Sequence, residues 1–262
     1  MLRRLLTPRW LGALALAAVF AVAAYHLGFW QYHRHEAKVE RNARLDAHYT
    51  ADPVPVGTVL TADGVDPQDE WTRVRVSGRY VAGPVYVRGR PNDGEVGLEV
   101  LWALRPSDGG EDVLVDRGWV PASDAGAEVL PQVDPAPTGE VTVVGWVRPG
   151  EPSPGRPLAS GQIANLSVED ASTALSTSLR PGYVLVQSET LPDGSSPPRP
   201  QALPPPDRDL GPHLAYAYQW WFGTVLGFVL VGFGVRREER LAHPERYPAA
   251  PRKTRIWDEE DE

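Results

Sequence analysis

A histidine opens the second of two long apolar stretches of the chain, in the string Gly211-Pro212-His213-Leu214-Ala215-Tyr216-Ala217-Tyr218-Gln219-Trp220-Trp221. Imidazole titrates near neutral pH and is the commonest side-chain ligand for transition metals, so its position decides what chemistry is open. The chain holds six histidines, His26, His33, His35, His48, His213 and His243, and none lies between Tyr49 and Leu210. A histidine-dependent triad or a conventional zinc site inside that stretch alone is excluded. This weighs against an anchored envelope hydrolase, as does the lack of G-x-S-x-G, H-E-x-x-H and P-loop strings. The chain has no cysteine. That removes covalent c-type haem attachment, thiolate-held iron–sulfur clusters, thiol copper carriers and disulfide exchange. The single methionine is Met1, which removes a thioether copper site.

Pro212 fits the first turn of a helix, where its missing N–H costs nothing, and it places His213 in the same turn. The positive end of the helix dipole there disfavours imidazolium and leaves the ring able to coordinate iron. An interfacial histidine bonded to lipid headgroups or to the rest of the protein fits the spacing equally. Trp30 and Trp220 read as aromatic anchors at a membrane interface, and could also wall a macrocycle. Arg34 and Lys38, one turn apart, suit either haem propionates or anionic lipid headgroups. Arg117-Gly118-Trp119, at the end of an expected strand, reads on its own as a buried Trp beside a turn glycine.

These residues need elements to hold them. Trp10 to Trp30 is 21 residues without a formal charge, and Ala217 to Val235 is 19. At about 1.5 Å per residue each can cross a roughly 30 Å hydrocarbon core. The first stretch also has the n-region and small-residue site of a signal peptide, but its apolar run continues to Trp30. Arg236, Arg237 and Arg240 follow the second stretch, so the positive-inside rule places both termini in the cytoplasm and the middle outside. The expected division is a cytoplasmic N-terminus at 1–9, a transmembrane helix at 10–30 and an extracytoplasmic β-rich domain at 31–210. A second transmembrane helix follows at 211–235, then a cytoplasmic acidic tail at 236–262. The net charge is −8, and five of the negatives are Asp258 to Glu262. Such a run is a solvated tail, and nothing points to nucleic acid. Ala13, Ala17, Ala21, Ala24 and Gly28 share one helical face; Gly223, Gly227 and Gly234 share another, and small faces let membrane helices approach. In that seam His213 stands at the edge and His26 points away, while His33 or His35 could reach over the top or be solvated.

In the middle, 31–49 reads as a charged continuation of the first helix, broken by Asp52 to Pro55. Strands are expected at 72–80, 85–88, 98–104, 113–120, 141–147 and 183–186, and a helix at 168–179 with Ser167 as N-cap. The fold class is a membrane protein in which two transmembrane helices flank a mainly-β, α+β domain, an antiparallel barrel or sandwich. Pro149 to Pro157 reads as a loop and 191–206 as a Pro-rich linker.

Three strings together resemble the Surfeit locus protein family of cytochrome c oxidase assembly factors. Gly28-Phe29-Trp30-Gln31-Tyr32-His33-Arg34 followed by Lys38 resembles its G-x-W-Q-x-x-R-x-x-x-K. Val115 to Pro121 resembles its R-G-W-V-P, and His213 to Trp220 its H-L-x-Y-A-x-x-W. The order and the two-span layout match; the linker and the acidic tail lie outside the pattern. The resemblance implies a plasma-membrane factor, not an enzyme, that binds haem a near the outer membrane face and assists its insertion into oxidase subunit I. A haem a synthase is a further expected partner. His213 becomes the expected iron ligand. Trp30, Gln31, Arg34, Arg117, Gly118, Trp119, Tyr216 and Trp220 become the motif residues, in contact with haem or supporting those that are. A scaffold that holds oxidase subunits without haem is the alternative.

Overall fold

The structure, a computed structural model, describes residues 2–126, 129–156 and 158–247. The acidic tail at 258–262, the rest of the chain beyond Tyr247 and Pro157 of the first Pro-rich loop lie outside them. The chain divides into two compact units, Met1–Val39 with Asp209–Glu262, and Glu40–Arg208.

The first unit is helical. A short helix α1 (Leu2–Leu5) precedes α2 (Pro8–His48), and α4 (His213–Ala242) follows the second unit. Both α2 and α4 are long and apolar enough to cross a membrane. Their large side chains point outward: Leu16 is 72% exposed and Phe222 68%, whereas Ala17, Ala24 and Ala217 are buried. A water-facing helix pair would bury the large residues instead. The helix α2 continues without a break through the charged residues 31–48, as expected, and ends just before Asp52-Pro53.

The second unit is built on one seven-stranded sheet. Its strands are β1 (Val54–Pro55), β2 (Arg73–Asn92), β3 (Glu95–Pro106), β4 (Asp112–Pro121), β5 (Val141–Arg148), β6 (Gln162–Ile163) and β7 (Leu179–Thr190), with α3 (Val168–Leu175) before β7. The sheet is mixed, which corrects the expected antiparallel barrel or sandwich. β2 pairs antiparallel with β3 and with β5, but β4 and β7 run parallel, as do β1 and β6 against β2. Side chains alternate in both strand directions, so periodicity alone could not separate the two. β2 also merges two expected strands. Register shifts between Tyr80, Ala82 and Val85 absorb the Gly-Pro pair that reads as a break. The expected helix is shorter than 168–179, because Leu179 already belongs to β7. Ser167 does cap it, accepting from the backbone N–H of Asp170.

Both faces of the sheet are covered, so β4 is a continuous buried run and not an alternating one. On one face Val85, Val87, Leu101, Leu114 and Leu185 pack on Ala171, Leu175, Leu166 and Leu45 of the last turns of α2. There Tyr49 stacks on Trp146 at 4.2 Å, and the Trp146 indole donates to the Tyr49 carbonyl. On the other face valines dominate, among them Val74, Val113, Val115, Val143 and Val184.

One acid is sealed into the first face. Asp116 is 1% exposed and accepts from the Gly118 N–H. Burial first, and the neighbouring Glu99 carboxylate second, push its carboxyl well above the ordinary carboxylate range. Between the ordinary carboxylate pKa and this raised value the folded chain binds one more proton than the unfolded chain. Stability therefore falls as pH rises through that window, by up to about 1.4 kcal/mol per pH unit. Asp116→Asn keeps the acceptor and removes the proton, so thermal unfolding followed from acid to mildly alkaline pH is expected to show a flatter profile in the variant.

Candidate functional site

The site at the head of the second apolar helix is made by two helices meeting along small residues. A Cβ on Gly227 would touch Ala17 at 3.5 Å, and one on Gly223 would touch Phe20 at 3.5 Å. Gly234 lies under the Trp10 ring and Gly28 under the Trp221 ring, with no room for a side chain in either place. The numbers fall on one helix as they rise on the other, so α2 and α4 pack antiparallel on the expected glycine and alanine faces. At the far end, Arg4 binds Glu239 at 2.6 Å and the Trp10 indole donates to Glu238 at 2.9 Å.

At the near end stands His213. The first helical hydrogen bond runs from Tyr216 N–H to the Pro212 carbonyl at 3.0 Å. Pro212 is thus the N-cap rather than a residue of the first turn, and His213 is the first helical residue. Its Nδ1 meets the Gln31 carboxamide oxygen at 2.9 Å. An amide oxygen only accepts, so Nδ1 carries the proton and Nε2 keeps its lone pair. Gly211, at φ +65°, lets the chain turn in just before the helix. A Cβ there would stand 3.5 Å from His213 Nε2 and 3.4 Å from Lys38 Nζ. Lys38 itself donates to the Asp209 carbonyl at 3.0 Å. The imidazole therefore lies along α2, with Nδ1 at residue 31 and Nε2 toward residue 38. Arg34, His35 and Lys38 are the cationic or potentially cationic groups within its electrostatic reach.

The other motif residues of this unit sit around that centre. Trp30 is 52% exposed, with the Arg34 guanidinium 5.1 Å from its ring centroid, an outward cation–π pair one helical turn long. Tyr216 is exposed and Trp220 half-buried on α4. His26 is exposed and faces away from the seam. Two more residues complete the seam: Trp221, which the sequence did not single out, and His35, which it left either reaching over the top or solvated. Trp221 fills the gap over Gly28 and meets Phe29, Tyr32 and Tyr218; His35 lies on the inner face. The spacing 24, 28, 31, 35, 38 puts His35 there, since it repeats the stripe that carries Ala24 and Gly28.

Arg117 and Trp119 belong to the other unit and have protein partners there. Arg117 is fully buried. Its Nε donates to Glu189 Oε1 at 2.8 Å and its Nη2 to Glu189 Oε2 at 2.7 Å, a bidentate pair. Nη2 also reaches the Pro198 carbonyl at 3.1 Å, and the Tyr80 hydroxyl donates to the same Glu189 carboxylate. Burial alone works against the guanidinium charge, but the Glu189 carboxylate outweighs it and raises the Arg117 pKa. Burial and then the Glu189 charge push the Tyr80 phenol far up. Gly118, at φ +135°, lies against the carbonyls of Pro200 and Gln201, where no side chain fits. Trp119 exchanges both backbone hydrogen bonds with Gln201, at 2.8 and 3.0 Å, and its indole donates to the Arg90 carbonyl at 2.7 Å. Arg-Gly-Trp is a clasp: three successive residues hold the Pro-rich segment 198–201 against the sheet. Further along, Arg208 pairs with Asp46 at 3.0 Å and Asn42 donates to the Arg208 carbonyl, tying the end of the segment to α2.

Two long apolar helices, a mixed-sheet unit between them in sequence, a histidine held by a glutamine at the head of the second helix and an Arg-Gly-Trp clasp define the class of protein. The SURF1 family profile matches residues 18–224, and the chain belongs to that family. An uncharacterised SURF1-like protein of Mycobacterium bovis is 30% identical over 254 residues, covering 94% of this chain and 91% of its own. The cytochrome oxidase assembly protein SHY1 of Saccharomyces cerevisiae is 28% identical over 108 residues, 41% of this chain and 28% of its own. Surfeit locus protein 1 of Rattus norvegicus is 31% identical over 141 residues, 48% and 44% respectively.

Removing Arg117 leaves Glu189 buried without its partner. Arg117→Ala is expected to lower stability by about 3–5 kcal/mol, read by denaturant unfolding of the detergent-solubilised chain. Gly118→Ala is expected to free the clasped segment while the sheet persists. New cleavage by a broad-specificity protease between residues 191 and 206, mapped by mass spectrometry, is the measurement that checks it.

Proposed function

We propose that this chain is a membrane-anchored assembly factor for cytochrome c oxidase that carries haem a as cargo at His213 and hands it to subunit I. The oxidase role rests on family membership and on the printed names of the yeast and mammalian relatives. The haem reading rests on one observation above the others, the Gln31–His213 hydrogen bond between two of the motif strings. A haem iron takes a neutral imidazole whose second nitrogen is held by an acceptor, which fixes the tautomer and aims the lone pair. Gln31 performs that task for Nδ1 and leaves Nε2 as the donor to iron. Arg34 and Lys38 supply positive charge for two propionates, and Trp30 and Trp220 supply apolar walls.

In this reading both termini are cytoplasmic, and the sheet unit lies outside the plasma membrane beside the oxidase subunits and a haem a synthase. Arg117 and Trp119 hold the sheet unit and its strap together rather than touching haem. The chain binds, orients and releases, and no bond-making step is assigned to it.

Full-length protein purified in detergent from cells that make haem a is expected to show a Soret band. His213→Ala should lose most of it. Gln31→Leu, which keeps the ligand and removes its orienting acceptor, should weaken haem retention by about 10–100-fold. A Soret band unchanged in His213→Ala rejects the ligand. A colourless wild type that still co-purifies with oxidase subunits establishes the haem-free scaffold instead.

A further inference from the structure

The seam between α2 and α4 holds a second imidazole that the proposed carrier role leaves unused. His35 lies on the face that carries Gly28, Gln31 and Lys38, and its Nδ1 is buried with no hydrogen-bond partner among the described residues. The His213 ring runs along this face, from Gln31 at Nδ1 to the neighbourhood of Lys38 at Nε2. His35 is one turn beyond Gln31 and one turn short of Lys38, so it stands alongside that ring. The remaining histidines of this stretch look elsewhere. His33 is exposed and rests against Phe29 and Tyr32, and His26 is exposed beside Tyr25.

Two imidazoles on facing helices can hold a metal, and the surrounding charges select its form. Arg34 and Lys38 disfavour a bare divalent cation at this place. A porphyrin iron brings two propionate carboxylates with it and turns the same cations into partners. We propose that His35 supplies the second axial imidazole to the haem iron, an inference that rests on the haem-carrier reading of His213. The two ligands are unequal by construction. His213 is oriented by Gln31, whereas the buried Nδ1 of His35 has no hydrogen-bond partner among the described residues to hold its ring. His35 is therefore the exchangeable ligand, the one that leaves first when the cargo is passed on.

The test uses the full-length chain purified from cells that make haem a, read by absorption and electron paramagnetic resonance. Wild type is expected to be six-coordinate and low-spin. His35→Ala and His35→Gln should keep most of the haem but turn high-spin with a shifted Soret band, and added imidazole should restore the low-spin spectrum. His33→Ala should leave the spectrum unchanged. A low-spin spectrum that persists in both His35 variants overturns the second ligand and leaves His213 standing, as does a wild type that is already five-coordinate. Failure of wild type to bind haem overturns both assignments together. A His35 variant that loses its haem and does not regain a low-spin species with imidazole also counts against axial ligation, since a missing ligand alone would be rescued.

Discussion

The Arg117–Glu189 pair is the interaction on which the sheet unit depends. Both side chains are sealed from water. An isolated charge in that position would cost far more than any single packing contact returns, so each is tolerable only because the other is there. The pair is bidentate, shares Tyr80 on the carboxylate side and reaches the Pro198 carbonyl on the guanidinium side. It joins β2, β4 and β7 to a segment with no regular structure of its own. Gly118 and Trp119 extend the junction by two residues. The three-letter motif that reads as a buried Trp beside a turn glycine is internal joinery, with its arginine buried as well.

The helical unit follows a different rule. Its inner surfaces are small residues and its outer ones are large, the arrangement that lets two apolar helices approach closely where hydrophobic collapse does not drive them together. Close approach also sets the polar end. Once Gly28 accepts the Trp221 ring, Gln31 stands one turn further out, level with the start of α4, where it meets His213. The imidazole is therefore placed by packing below it as much as by its own hydrogen bond.

Much of this was legible in the sequence, and the reasons differ by residue. The two apolar stretches, the glycine faces and the strand at 113–120 follow from composition and period alone. Ser167 was readable as a cap because its chemistry is local. The pairing direction of β4 and β7 was not, since alternation is the same either way. Glu189 was invisible as the partner of Arg117, because a carboxylate in a polar stretch such as Gln187-Ser188-Glu189-Thr190 reads as solvated. Nothing local betrays a charge whose partner lies 72 residues away. His35 falls on the inner stripe by spacing alone, but what it faces depends on the register and angle at which a second helix crosses.

The Pro-rich segment after β7 carries a consequence of its own. A free chain of that length would sweep a large volume and would surrender that freedom whenever something bound beside it. Here it is fastened at Pro198 to Gln201 by the clasp and again at Asp207 and Arg208 by Arg41, Asn42 and Asp46. The intervals left between fastenings are only a few residues, rich in proline, and have little configurational freedom to lose. The strap is thus pre-tensioned in the thermodynamic sense: it can present a surface to another protein without first having to be ordered by it.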